Sequence, residues 1–471
     1  MLVPSTKLLR LTALVVLPFA TLAGVVPASA PIAVGLIVAF ALLVTFDALR
    51  GVGVLDGIDA SLPSVIRLTK GRLAEVSVQL RNESQRGRTI RLGLALPSTL
   101  TTPHETLEVR LPEQTVLASL NWPLTALERG THPLHALHLE APSPIGFWEV
   151  RRVVATACEV RVYPDLLNER RALAAVFLNR GSSGVHAQRQ LGRGREFEKL
   201  REYLPGDSVD DIHWKATAKR SHPVTKVFQI ERTQEVYVVV DASRLSAREG
   251  SVQCSVFSVQ PGEGNTSASL KTENRKLETP PTPEPILERC LRAALILGAA
   301  AEKQGDLFGL VAFDDQVRRF VRARNGRAHF AACRDALHAL QARPVTPDFE
   351  ELCSFLRLRL RRRALLILLT SLDDPVISES FIRGVKLIAQ QHLVLVVQPR
   401  PRGARPLFEN PDVTNLDEVF AELGGHLRWQ NLRALEQVLR RHGVGYKLVN
   451  QDALASETVR QYLDVKRRQA L

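Results

Sequence analysis

No two of the five cysteines (Cys158, Cys254, Cys290, Cys333, Cys353) stand in a CxxC pair, and their number is odd. That spacing excludes a disulfide framework and a thiolate zinc site, leaving incidental or buried thiols in a reducing compartment. Also missing are a GxxxxGK[ST] loop, a GxSxG elbow, an HExxH pair and a GxGxxG turn leading into a helix. The twelve histidines show no i, i+4 ligand spacing. Enzyme chemistry therefore has little support, and the chain reads as a non-enzyme. Aromatic residues make up only 6% and form no ladder for stacking bases, so the net charge of +13 does not indicate nucleic acid. The Arg-rich stretches Leu356 to Arg363 and Leu432 to Arg441 read instead as solvated helix faces of a protein close to a membrane.

Charge is also lacking in two long runs, Leu11 to Val26 and Ile32 to Phe46, separated by Pro27 to Pro31. With their flanking small residues both are long enough to span a bilayer, so residues 1–52 read as a two-helix membrane hairpin with the lipid bilayer as partner. Ala28-Ser29-Ala30 resembles a signal-peptide cleavage site, but the second run follows at once and would still leave a membrane segment. Lys7 and Arg10 precede the first span and Arg50 follows the second, while the connecting turn carries no charge. By the positive-inside rule both ends, and the bulk of the chain, lie in the cytoplasm, with the hairpin in the inner membrane. Asp47 falls at the end of the second span, where it is expected to reach interfacial water.

With 471 residues the chain is long enough for about three domains. Five short runs of period two (Ala74 to Leu80, Thr89 to Leu94, Leu107 to Leu111, His135 to Leu139, Glu159 to Tyr163) predict a β-sandwich-like domain, immunoglobulin-like or similar, over 60–166. A connecting segment, 167–235, carries a helix-compatible stretch from Glu196 to Tyr203, a Pro205-Gly206-Asp207 turn and a second short helix around Asp211 to Lys219. From Val236 strands and helices alternate to the end: strands 236–240, 307–313, 364–370, 393–398 and 445–449, helices 285–304, 328–341, 349–361, 378–391, 432–442 and 456–468. That rhythm predicts a doubly wound, mostly parallel α/β sheet over 236–471. Its interruption at 246–285, rich in Ser, Thr, Gly, Glu and Pro, reads as a disordered insertion.

Acids and hydroxyls recur at the predicted strand ends: Asp241 with Ser243, Asp314 with Asp315, and Thr370 and Ser371 with Asp373 and Asp374. Oxygen ligands at the carboxyl edge of a parallel sheet suit Mg²⁺, although acids also simply cap and solvate strand ends.

The run Arg201-Glu202-Tyr203-Leu204-Pro205-Gly206-Asp207, followed by Ile212-His213-Trp214-Lys215-Ala216-Thr217-Ala218 and a strand ending in Asp241-Ala242-Ser243, resembles the signature of the domain of unknown function 58 family. The resemblance extends from the membrane hairpin to Tyr462-Leu463-Asp464-Val465-Lys466. It implies a β-rich membrane-proximal domain, a von Willebrand factor A-like α/β domain, and a MoxR-type AAA+ ATPase as partner in assembly or maturation of a cell-envelope complex. It also implies an adhesion-type metal site with the pattern Asp-x-Ser-x-Ser. Asp241 and Ser243 match, but position 245 is Leu, the next Ser is one residue late at Ser246, and Ser371 stands where a second aspartate is expected. The degenerate metal set is then Asp241, Ser243, Thr370 and Asp373, and loss of a carboxylate weakens Mg²⁺ binding. Arg201, Glu202, Tyr203, Pro205, Gly206, Asp207 and Trp214 form the signature, either as an interaction surface or as a staple against the sheet. The reading is a membrane-anchored interaction module; a cell-envelope hydrolase or accessory enzyme subunit is the alternative.

Overall fold

The apolar runs near the start of the chain become two largely exposed helices joined at their feet to a framework of strands. The computed structural model describes residues 1–84, 87–113, 116–167, 169, 171, 174, 191–204, 209, 212–229, 234–248, 284–407, 409 and 416–468. They divide into two compact units, Met1–Asp165 and Leu166–Leu471.

In the first unit β1 (Leu2–Pro4) leads into α1 (Thr6–Val25), and a single turn connects it to α2 (Ala30–Gly51). Both helices are long and apolar enough to cross a membrane. The strands β2 (Ile58–Ser61), β3 (Val65–Thr69), β4 (Leu73–Asn82), β5 (Arg88–Leu94), β6 (Leu100–Thr101), β7 (Thr106–Leu111), β8 (Leu117–Ala126), β9 (Gly130–Pro142) and β10 (Trp148–Tyr163) follow. They make two sheets, β1-β10-β9-β5-β7 with β3 also paired to β10, and β2-β4-β8-β6. Period-two alternation sends Val76, Val78, Leu80, Trp122 and Leu124 of one sheet and Leu137, Leu139, Val160 and Val162 of the other into a shared core. The buried Trp122 indole N–H finds its acceptor in Thr102 Oγ1 at 3.1 Å.

The hairpin and the β-domain, expected as separate domains 1–52 and 60–166, form one unit. Strand β1 pairs antiparallel with β10, Leu2 opposite Val150. Asp47 does not reach water: it is fully buried. Its carboxylate accepts from Ser143 Oγ at 2.5 Å, Ile145 N at 2.9 Å and Phe147 N at 3.0 Å. The turn between β9 and β10 closes over the foot of α2, and its donors need an acceptor where water is excluded.

The second unit begins with β11 (Leu191–Glu202), α3 (Trp214–Arg220) and β12 (Val224–Gln229). Then come β13 (Glu235–Asp241), α4 (Ile286–Lys303), β14 (Leu307–Phe313), β15 (Val317–Arg324), α5 (Arg327–His338), α6 (Phe349–Arg359) and β16 (Leu365–Leu369). The chain continues through α7 (Pro375–Ala389), β17 (Leu393–Pro399), α8 (Leu416–Arg441), β18 (Gly445–Val449) and α9 (Leu454–Arg467). The main sheet has the order β15-β14-β13-β16-β17-β18, parallel except for the β14–β15 pair. Val236, Val238 and Val240 face a layer built from α4, α5 and α9. Tyr237 and Val239 face the other layer, from α6, α7 and α8. Burial on both faces is why these strands read as unbroken apolar runs.

Three sequence expectations change. Glu196 to Glu202 lies in strand β11, paired with β12, and Tyr203 N–H donates to Pro223 O at 3.0 Å. The Glu, Lys, Leu and Arg there favour helix by only a few tenths of a kcal/mol per residue, about what one ladder partner overrides. Strand β15 was not expected, and α8 is far longer than 432–442. Residues 249–283 of the expected insertion lie outside the described residues, but its ends are pinned together. Ile286 N–H donates to Arg248 O and Leu287 N–H to Ser246 O, each at 3.0 Å.

Candidate functional site

Strand β13 has β14 on one side and β16 on the other, so the chain departs from it in both directions, the arrangement at whose carboxyl edge open α/β sheets bind ligands. Asp241 closes β13 there and is buried. Its Oδ1 accepts the N–H of Ser243 at 2.8 Å, and its Oδ2 accepts the hydroxyl of Thr370, just past β16, at 2.6 Å. Ser243 Oγ in turn accepts the N–H of Leu245 at 3.3 Å, and the Ser246 hydroxyl donates to Ser243 O at 2.9 Å. The loop is tied down by Ala242 N–H to Phe313 O (2.7 Å) and Arg343 N–H to Ala242 O (2.8 Å). Burial pushes the Asp241 carboxyl up from its ordinary value. The hydrogen bonds from Ser243 and Thr370 pull it down, and the nearby Asp314 carboxylate adds to the upward push.

Three of the other strand-end acids, Asp314, Asp315 and Asp373, already have cations. Asp314, fully buried after β14, accepts both oxygens' worth of hydrogen bonds from Arg318 Nε (2.8 and 2.7 Å), with Arg343 Nη1 at 3.4 Å. Asp315 is paired with Arg318 at 2.6 Å. Asp373 Oδ2 accepts from Arg248 Nη1 at 2.7 Å. Asp374 caps α7 through Val376 N–H at 2.9 Å. The structure thus joins Asp241, Ser243 and Thr370 by hydrogen bonds and turns Asp373 to a guanidinium. Leu245, at the altered motif position, is buried in the core layer of α6 and α7. Ser371 is buried as well.

This donor set does not fit a divalent cation. Mg²⁺ wants one or two carboxylates with open lone pairs and room for waters. The only carboxylate in the joined set has both oxygens engaged by the protein's own donors, and the flanking acids face arginines. Among the described residues no group of three or more His, Cys, Asp or Glu is placed to hold a metal. Titration of Mg²⁺ or Mn²⁺ into the full chain is expected to give no binding heat at millimolar concentration. A saturable isotherm that disappears in Asp241→Ala would refute this.

Burial pushes the thiols of Cys290, Cys333 and Cys353 up to about 12, far from the thiolate a reactive cysteine needs. Sequence reasoning missed Arg248, Arg318 and Arg343, which neutralise the edge, and Gln398, whose Oε1 holds Leu372 N–H at 3.0 Å and the Tyr446 hydroxyl at 2.9 Å. Only Arg318, four residues after Asp314, carried a local signal.

Of the signature residues, Arg201 and Glu202 end β11, Tyr203 follows them, and Trp214 opens α3. Arg201 and Glu202 pair with Thr225 and Val224 of β12. Glu202 is exposed, with His222 Nε2 at 3.5 Å. Pro205, Gly206 and Asp207 lie outside the described residues. Helix α3 is fastened to β12 by two bonds, His213 N–H to Val224 O at 2.8 Å and Val224 N–H to Thr217 Oγ1 at 3.1 Å, and is capped by His213 Nδ1, which accepts from Ala216 N–H at 3.0 Å. Trp214 opens that helix and is 66% exposed, so it does not act as a staple packed into the core. Leu204 and Val209 of the same segment are exposed as well.

The fold therefore defines a chain with two membrane-length helices in a β-rich unit and a mostly parallel α/β unit whose edge acids are engaged by the protein's own donors. The profile described as protein of unknown function DUF58 matches residues 199–258 and 283–404, which supports that family for the α/β unit. An uncharacterized protein of Mycobacterium tuberculosis is 25% identical over 244 residues, 51% of this chain and 65% of that one. YeaD of Bacillus subtilis, also uncharacterized, is 26% identical over 165 residues, 33% of this chain and 40% of YeaD. The chain thus spans less than two-thirds of the curated relatives it matches. Among solved structures, the conserved hypothetical protein BatB of Bacteroides thetaiotaomicron has a TM-score of 0.29 at 14% identity, covering 50% of this chain and 99% of that one. An aerotolerance-related membrane protein of Bacteroides fragilis has a TM-score of 0.27 at 13% identity, covering 48% and 99%.

Proposed function

We propose that the chain is a membrane-anchored, non-enzymatic interaction module of the inner membrane, with its α/β unit in the cytoplasm. That unit is read as von Willebrand factor A-like, and the β-rich unit as immunoglobulin-like. The partner is a MoxR-type AAA+ ATPase, and the role is assembly or maturation of a cell-envelope complex. The observation that carries this reading is Trp214: a large aromatic side chain left 66% exposed on a helix that is itself firmly fastened. Exposing that much apolar surface costs stability, and a rigidly presented Trp is the residue type that dominates binding hot spots. Support for a role outside catalysis comes from the internally satisfied edge and the raised thiols.

Binding of the purified ATPase to the detergent-solubilised full chain tests the proposal. Trp214→Ala should weaken the affinity by about 30-fold, as losing a hot spot of about 2 kcal/mol does, while leaving the melting temperature unchanged. Equal affinity for native chain and variant would remove Trp214 from the interface. Failure of the native chain to bind would remove the ATPase as partner.

A further inference from the structure

Helix α8 is amphipathic the wrong way round over its first half. Its inward face is docked: Glu422 pairs with Arg405, Leu407 N–H donates to His426 Nδ1 at 3.0 Å, and Gly425 lies so close to Gly403 O that no Cβ would fit. Leu432, Leu435 and Leu439 continue that face into the core. The opposite face, turned to solvent, carries Leu416 (76% exposed), Phe420 (68%), Leu423 (45%) and Leu427 (52%), with Val419 beside them. Further along the same outward line stand Gln430, Ala434 and Arg441, so the apolar stripe stops at Leu427. Its spacing of four, three and four residues is that of the a and d positions of a helix–helix seam.

We propose that this stripe is the seam of a homodimer, in which α8 of a second copy of the chain packs against it antiparallel. About a two-fold axis at the middle of the stripe, Leu416 meets Leu427 and Phe420 meets Leu423, so the four layers complement themselves. The seam runs about 17 Å, at 1.5 Å rise per residue. Charge fixes the direction. Asp417 and Arg428 flank the stripe on the same side, both exposed and neither in an ion pair among the described residues. Antiparallel packing sets same-side flanks together and brings each Asp417 within about a helical turn of the other copy's Arg428, whereas parallel packing puts the two on opposite sides of the seam and leaves that pair unmade. A bilayer surface is the poorer occupant, because Asp417 and Glu418 make the exposed start of this helix acidic, and helices lying on anionic lipid are basic.

Sedimentation of the full chain in mild detergent at micromolar concentration reads the outcome. The native chain is expected to be a dimer, and Leu423→Glu a monomer with unchanged far-ultraviolet circular dichroism. Phe420→Ser serves as a second seam variant if Leu423→Glu misfolds. Asp417→Arg and Arg428→Asp should each raise the dimer dissociation constant roughly tenfold, and the double variant should recover most of that loss. A monomeric native chain, including one that binds anionic vesicles through α8, overturns the proposal, as does a Leu423→Glu dimer. A double variant no tighter than the single ones overturns the antiparallel arrangement.

Discussion

Asp47→Ala should lower the melting temperature of the detergent-solubilised chain by roughly 10 °C and make the β-turn at Ser143 to Phe147 the first site of proteolysis. The carboxylate is the acceptor for a hydroxyl and two backbone N–H groups, all in a place closed to water. Removing it orphans those donors, at about 1–3 kcal/mol each before relaxation, so about 4 kcal/mol in all. At about 2–4 °C per kcal/mol for a unit of this size, that gives the expected shift. Asp47→Asn keeps one acceptor oxygen and should fall between. A melting temperature unchanged in Asp47→Ala would mean that water replaces the carboxylate and that the helix foot is open.

Asp306→Ala should be comparably damaging to the second unit, costing about 3–5 kcal/mol. Asp306 is fully buried at the start of β14. It accepts from Lys466 Nζ at 2.7 Å, from Gln234 N at 3.2 Å and from the Tyr462 hydroxyl, and so locks α9 to the sheet. Its loss leaves a half-buried ammonium and a buried phenol without their acceptor. Burial, reinforced by the Asp306 carboxylate, also pushes the Tyr462 hydroxyl up from its ordinary value, so it stays a neutral donor through the physiological range. The folded state then holds this proton more tightly than the unfolded chain does. Stability should accordingly fall as pH rises above about 10, the unfolded value for tyrosine, and Tyr462→Phe should flatten that slope. Because the network sits at the edge of the sheet opposite Asp241, partner binding through Trp214 should persist in Asp306→Ala at temperatures where it remains folded. Denaturant unfolding of both variants measures the cost, and a loss below about 1 kcal/mol for Asp306→Ala would show that Lys466 and Tyr462 find other partners.

What the sequence disclosed follows from which forces are local. Val236 to Val240 and Leu365 to Leu369 announce themselves because both faces of the sheet are covered, and Leu11 to Val26 because no charge interrupts it. Period two exposed parts of β4, β5, β7, β9 and β10. Strand β11 was illegible because its partner β12 lies across a turn and a helix, and its own residues favour helix. Strand β15, VRRFVRAR, looks too charged for a sheet, yet it is an edge strand with one face on Tyr237 and Phe355 through Phe320. Counting to the strand ends finds Asp241 at the end of β13, with Ser243 just after it, and Thr370 just past β16. The pairing of the neighbouring Asp373 and Asp314 was not legible, since Arg248 and Arg343 reach the edge from distant loops. Asp47 and Asp306 looked like ordinary polar punctuation, and only the fold shows that each collects three donors.

Both feet of the helix pair are sewn into the same sheet. Strand β1 and Ser5 hold the start of α1, Ser5 Oγ donating to Gly146 O at 2.8 Å. Asp47 and the Trp148 indole, which donates to Val44 O at 3.0 Å, hold the end of α2. No swivel therefore separates the anchor from the β-sandwich. Helices of 20 and 22 residues span about 30 and 33 Å, close to a bilayer's hydrocarbon thickness, and thinner lipid makes such helices tilt. In this protein a tilt of the anchor is also a tilt of the sandwich, so the thickness of the surrounding lipid sets the angle at which the β-rich unit stands on the membrane.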